Sequence, residues 1–165
     1  MTQRWKPSVT VAAVIEQQGR FLLVEEHTPE GLRLNNPAGH LDPGESPAQG
    51  CSREVLEETA YAFAPTGLVG LYLSRLQRQR DGAPEDITYL RFAYAGTLGT
   101  FDAQRTLDTG IERTVWLTAD ELRASRDRHR SPLVLRCMED YLRGQRYPLE
   151  LVYADASLWQ PQGLL

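Results

Sequence analysis

The chain has 165 residues, 41% hydrophobic and 24% charged, with a formal net charge of −4 at pH 7. That length suits one ordinary domain, 1–165, and the composition is that of a soluble globular protein. The acidic balance argues against a nucleic-acid surface, which shows as a basic excess, and two cysteines make no disulfide framework.

Residues 9–15 are an apolar, β-branched run and read as a buried strand; 17–19 turn it, and 21–24 read as its hairpin partner. Residues 28–36 are polar with Gly and Pro and read as loop. Residues 68–76 and 87–95 read as apolar-aromatic strands joined by a turn within 79–85, where Asp81-Gly82 stands. Residues 114–117 are a short strand, Thr118 caps a following helix, and Ser131-Pro132 opens a last helix to about Gly144. A tail begins near 148. Mixed strands with helices at intervals predict an α/β layered domain. No charged-then-apolar leader opens the sequence and no apolar run approaches a membrane span, so a reduced, cytoplasmic setting without membrane contact is expected. Cys51 and Cys137 read as small buried residues.

Residues 39–61, GHLDPGESPAQGCSREVLEETAY, are the most informative stretch. Ser46 as N-cap, Pro47 in the first helical position and Gln49 completing a capping box mark the start of a helix. Ala48, Ser52, Val55, Leu56 and Thr59 form its small or apolar face. Glu54, Glu57 and Glu58 fall at i, i+3 and i+4, which aims three carboxylates at one spot. Like charges on one helix face repel, and a hard divalent cation turns that cost into a binding site. A glutamate-rich face taken alone is more often a solvated surface. The ordered set around it is what carries weight.

That set resembles the signature of the Nudix hydrolases, G-x5-E-x7-R-E-U-x-E-E-x-G-U, with U an apolar residue. Gly39, Glu45, Arg53, Glu54, Val55, Glu57, Glu58 and Tyr61 fall where the pattern asks. Ala60 stands where the pattern has Gly. A glycine there suits a left-handed helix end, so Ala costs roughly 1 kcal/mol or shifts the end. The flanking segments KPSVTVAAVIEQQGRFLLVEE, NNPAGHLDPGE and RSPLVLRCMEDYLRGQRYPLE resemble a phosphatase branch of the same family.

The resemblance implies an α/β/α sandwich with the box helix packed on a mixed sheet. It implies that Glu54, Glu57, Glu58 and the Gly39 carbonyl hold Mg²⁺ or Mn²⁺, with Glu54 also the general base. Arg53 then orients a neighbouring carboxylate, Glu45, through a bidentate pair. Family members often add a carboxylate from a loop after the sheet; Glu112 and Asp108 are the options here, though a solvated loop acid is the commoner state of such residues. His40 is a candidate to touch phosphate, though a structural histidine suits it at least as well, and Arg75, Tyr89, Arg91 and Phe92 are candidates to face the substrate, though core packing and a solvated arginine are the safer readings.

The activity implied is removal of terminal phosphate from nucleoside di- and triphosphates and thiamine-related pyrophosphates. The alternatives are pyrophosphohydrolysis of nucleotides or RNA 5′ ends, which the acidic balance opposes, and a non-catalytic binding module, which would be free to lose the carboxylates kept here. The expected partner is a small phosphorylated metabolite, with no stable nucleic-acid partner, and the protein is expected to be a monomer or small homo-oligomer.

Overall fold

The computed structural model describes residues 4–160. Strand β1 (Ser8–Val14) lies at the centre of a four-stranded mixed sheet. On one side it pairs antiparallel with β5 (Ala38–His40). On the other it runs parallel to β7 (Ala83–Phe101), which pairs antiparallel with β6 (Tyr61–Arg80). A second sheet is built on β3 (Arg20–Thr28), flanked by β4 (Gly31–Asn35) and β8 (Ile111–Thr118), with the two-residue β2 (Glu16–Gln17) at one end.

Alternation along β1 sends its side chains to two cores. Val11, Ala13 and Ile15 pack with Cys51 and Val55 of helix α1 (Pro47–Thr59). Val14 packs with Val69, Ala93, Cys137 and Met138, the last two on helix α3 (Leu133–Leu142). The sheet is therefore sandwiched between α1 and α3, an α/β/α arrangement. Both cysteines are buried, as their composition suggests. The short helix α2 (Ala119–Ala124) starts at Thr118, whose side chain accepts from the Glu121 amide. No helix among the described residues is long and apolar enough to cross a membrane.

Three elements differ from the sequence reading. Residues 28–36 are not all loop, because Gly31–Asn35 forms β4 against β3 and buries Leu34. The hairpin of β6 and β7 runs well past 68–76 and 87–95. Its connection shrinks to Asp81-Gly82, both in the left-handed region (φ 51° and 80°) that a tight hairpin turn requires. Glu112 lies within β8 rather than in a loop.

Candidate active site

The helix that carries the carboxylates forms for the local reasons written in its sequence. Ser46 Oγ accepts from the Gln49 amide, Gln49 Oε1 accepts from the Ser46 amide, and Pro47 opens the first turn. The helix ends on Ala60, which takes the left-handed conformation (φ 62°) itself, so the end is not shifted. Cys51, Val55 and Thr59 are buried behind, while Ser52 and Leu56, expected on that face, are only half-buried.

In front, Arg53 is the hub. Its Nε and Nη2 donate to the two Glu45 oxygens at 3.0 and 2.7 Å, the bidentate pair the resemblance implies. Its Nη1 donates to Glu54 Oε1 at 2.7 Å and to Glu57 Oε2 at 2.9 Å, and Nη2 also reaches the His40 carbonyl at 2.9 Å. One guanidinium thus ties three carboxylates to strand β5, which carries Gly39. The hydrogen bond from Arg53 holds Glu45 below its ordinary carboxylate range.

Glu54 and Glu58 are buried. Burial pushes the Glu54 carboxyl up, against the opposing hydrogen bond from Arg53, with the charges of Glu57 and Asp108 adding to the rise. Burial pushes Glu58 up to about 8, against a hydrogen bond that its Oε2 accepts from the Ala38 amide at 2.8 Å; the charges of Glu54, Glu26 and Asp108 add to the rise. Two glycines make the packing possible. A Cβ on Gly39 would stand 2.2 Å from the Glu54 carboxylate, and one on Gly50 would stand 2.7 Å from Glu45 Oε1. Gly50 was missed in the sequence reading. A glycine inside a helix costs about 1 kcal/mol against alanine, and that cost was the available signal.

The three box carboxylates do not meet at a single point. Glu54 and Glu57 share Arg53, while Glu58 turns toward Ala38. Among the described residues no three His, Cys, Asp or Glu side chains converge at metal-ligand spacing. The donor set nevertheless fits a hard divalent cation. Glu54 and Glu58 are carboxylates taken out of water; Glu54 raises the cost of ionising Glu58, Glu57 and Asp108 raise that of Glu54, and positive charge beside them relieves it.

Of the two candidate outer carboxylates, Asp108 is the one beside the site. Its amide donates to the Glu57 carbonyl at 3.0 Å, and its charge is felt by Glu54 and Glu58. Glu112 instead pairs in the open with His27 at 2.9 Å. Arg75 is also turned away, paired with Asp86, and Phe92 packs against the α1-side core. Arg91 is buried on the opposite face of the sheet, the face toward α3, and Tyr89 stands near His40 with ring centroids 6.3 Å apart.

Comparison with known proteins agrees with this arrangement. The family model described as NUDIX domain matches residues 4–137. The chain is 36% identical to the Phosphatase NudJ of Shigella boydii over 149 residues, which is 90% of this chain and 92% of that one. It is 34% identical over 148 residues to the protein of the same name from Escherichia coli K12. Among solved structures, a NUDIX hydrolase from Nitrosomonas europaea is 52% identical, with a TM-score of 0.81 over 91% of this chain and 98% of that chain. A MutT NUDIX hydrolase from Burkholderia pseudomallei, 19% identical with a TM-score of 0.65, shares the fold. The box, the sandwich that seats it and relatives matched along most of their length lead to one conclusion: the chain belongs to the Nudix family and is a Nudix hydrolase.

Proposed function

We propose that this Nudix hydrolase is a metal-dependent phosphohydrolase that removes the terminal phosphate from nucleoside di- and triphosphates and from thiamine-related pyrophosphates. The observation that carries the reading is the pair of buried carboxylates, Glu54 and Glu58, packed beside the Gly39 backbone with Arg53 spanning Glu45, Glu54 and Glu57. Kinship with phosphatases named NudJ, extending through both flanks of the box, supports the choice of terminal phosphate.

Glu54, Glu57, Glu58 and the Gly39 carbonyl would hold Mg²⁺ or Mn²⁺. When bound, the cation supplies charge neutralisation and Lewis-acid polarisation of the phosphoryl oxygens. Glu54 takes the proton of the attacking water. It is seated for this by its packing against Gly39 and by the hydrogen bond it accepts from Arg53 at 2.7 Å. Arg53 fixes Glu54 and Glu57 in place, and Glu45 in turn fixes Arg53 through two hydrogen bonds. Asp108 adds negative charge beside the cluster. The substrate is a small phosphorylated metabolite, and the setting is cytoplasmic. The test is a substrate panel with Mg²⁺ or Mn²⁺, scored separately for phosphate and pyrophosphate and repeated after exhaustive chelation. Activity that survives chelation refutes the reading.

A further inference from the structure

Arg91 on β7 is buried, with only 8% of its surface exposed, yet its Nε and Nη1 have no hydrogen-bond partner. A charge withdrawn from water with donors unpaired is costly, and such a group calls for a function. It is not alone. Thr10 Oγ1, Asn35 Oδ1 and Asn36 Oδ1 are also buried without partners.

Strand register brings these groups together. Thr10 lies opposite Arg91 across the β1–β7 pair and opposite His40 across the β1–β5 pair, so all three project from the sheet face away from Glu54. Asn35 ends β4 and Asn36 follows it, on a segment pinned to β1 by the hydrogen bond from the Ala13 amide to the Pro37 carbonyl. Glu26 on β3 is close enough to feel both Arg91 and Asn35, and Glu58 feels Glu26. The unpaired groups therefore adjoin the carboxylate cluster without belonging to it. Glu26 lies within reach of the Arg91 charge and pairs with Arg130 at 3.0 Å, yet it accepts no hydrogen bond from Arg91 Nε or Nη1.

We propose that Arg91, Asn35 and Asn36 read the non-phosphate end of the substrate, and that they select a nucleobase whose edge carries a carbonyl beside N–H donors, guanine over adenine. This deepens the phosphohydrolase reading and rests on it for the position of the phosphate end. Guanine offers O6 and N7 as acceptors to a guanidinium, and its N1–H and N2–H₂ as donors to amide oxygens. Adenine turns an amino group toward the cation where guanine has its carbonyl. Tyr89, two residues before Arg91 on the same face and tilted toward His40, offers a ring for the base to stack on.

The test is calorimetric binding of GMP and AMP, in the presence of Mg²⁺, to the wild type and to Arg91→Met. The wild type is expected to bind GMP at least about tenfold more tightly than AMP, and the variant to bring the two within about twofold. Melting temperature separates reading from scaffolding. Removing a buried charge whose Nε and Nη1 are unpaired should leave Tm unchanged or raised, whereas a structural arginine would lower it. Equal binding of GMP and AMP by the wild type overturns the proposal, and so does an Arg91→Met variant that melts lower and loses both nucleotides equally. Preferential GMP binding by a protein that hydrolyses no nucleotide would leave this proposal standing and remove the phosphohydrolase reading instead.

Discussion

Gly39→Ala is the smallest change that reaches the centre of the proposed machinery. Gly39 is not in the left-handed region, so the strand backbone accepts alanine without strain. The added methyl would stand 2.2 Å from the carboxyl carbon and from both oxygens of Glu54. Ordinary contact between such atoms lies near 3.4 Å, so the carboxylate must retreat by about 1 Å. A misplacement of that size costs on the order of 10²-fold in turnover when the group acts on reacting atoms. Glu54→Gln should cost at least about 10²-fold as well, the scale of a lost general base. Because both changes act through one carboxylate, the double variant should be little slower than either single one. The retreat also weakens the 2.7 Å hydrogen bond from Arg53, so Tm should fall by only a few degrees, about 1–2 kcal/mol in a chain of this size. Phosphate release at saturating Mg²⁺ gives the rates, and circular dichroism gives Tm. Turnover of Gly39→Ala within threefold of wild type, or full additivity in the double variant, would show that catalysis does not pass through Glu54 as seated here.

Three further outcomes are expected. Asp108→Asn should alter metal affinity or turnover by roughly tenfold while Glu112→Gln leaves both near wild type, as titrations of activity against Mg²⁺ will show; the reverse order would contradict the placement of Asp108 beside Glu57. The buried Glu58 is raised from an ordinary 4.5 to about 8, so the stability of its neutral form is present below pH 4.5 and is lost as pH rises through about 8. The metal-free protein should therefore lose Tm across that window, and Glu58→Gln should flatten the loss; an unchanged slope would mean that Glu58 is not the group responsible. Ala60→Gly should raise Tm by about 2–4 °C, the effect of relieving roughly 1 kcal/mol at a left-handed helix end, and a fall in Tm would mean that the alanine is unstrained.

The box helix was legible in the sequence because its signals are local. Ser46, Pro47 and Gln49 set the start by chemistry within one turn, and helical spacing alone puts Glu54 and Glu58 on one face. Strand β4 was not legible, because Leu32 and Leu34 give too short an alternation to mark a strand before β3 is there to pair with it. The same distinction governs the site. The pairing of Arg53 with Glu45 was expected only through the family resemblance, and both of its hydrogen bonds are present. The choice between Asp108 and Glu112 depends on how the segment after β7 returns over α1, which no local pattern encodes. The burial of Arg91 likewise arises from the register of β1 against β7 and from the packing of α3, so the sequence offered no more than an arginine in an apolar strand.

Two points are central to this enzyme: which bond it breaks, and whether the carboxylate cluster needs a cation to break it. Incubation of the intact protein with GTP and Mg²⁺, with orthophosphate and pyrophosphate quantified separately and no pyrophosphatase added, tests both points at once. The expected result is GDP and orthophosphate as first products, abolished by chelation and restored by Mg²⁺ or Mn²⁺. GMP and pyrophosphate as first products, or hydrolysis that persists without divalent cation, would contradict it.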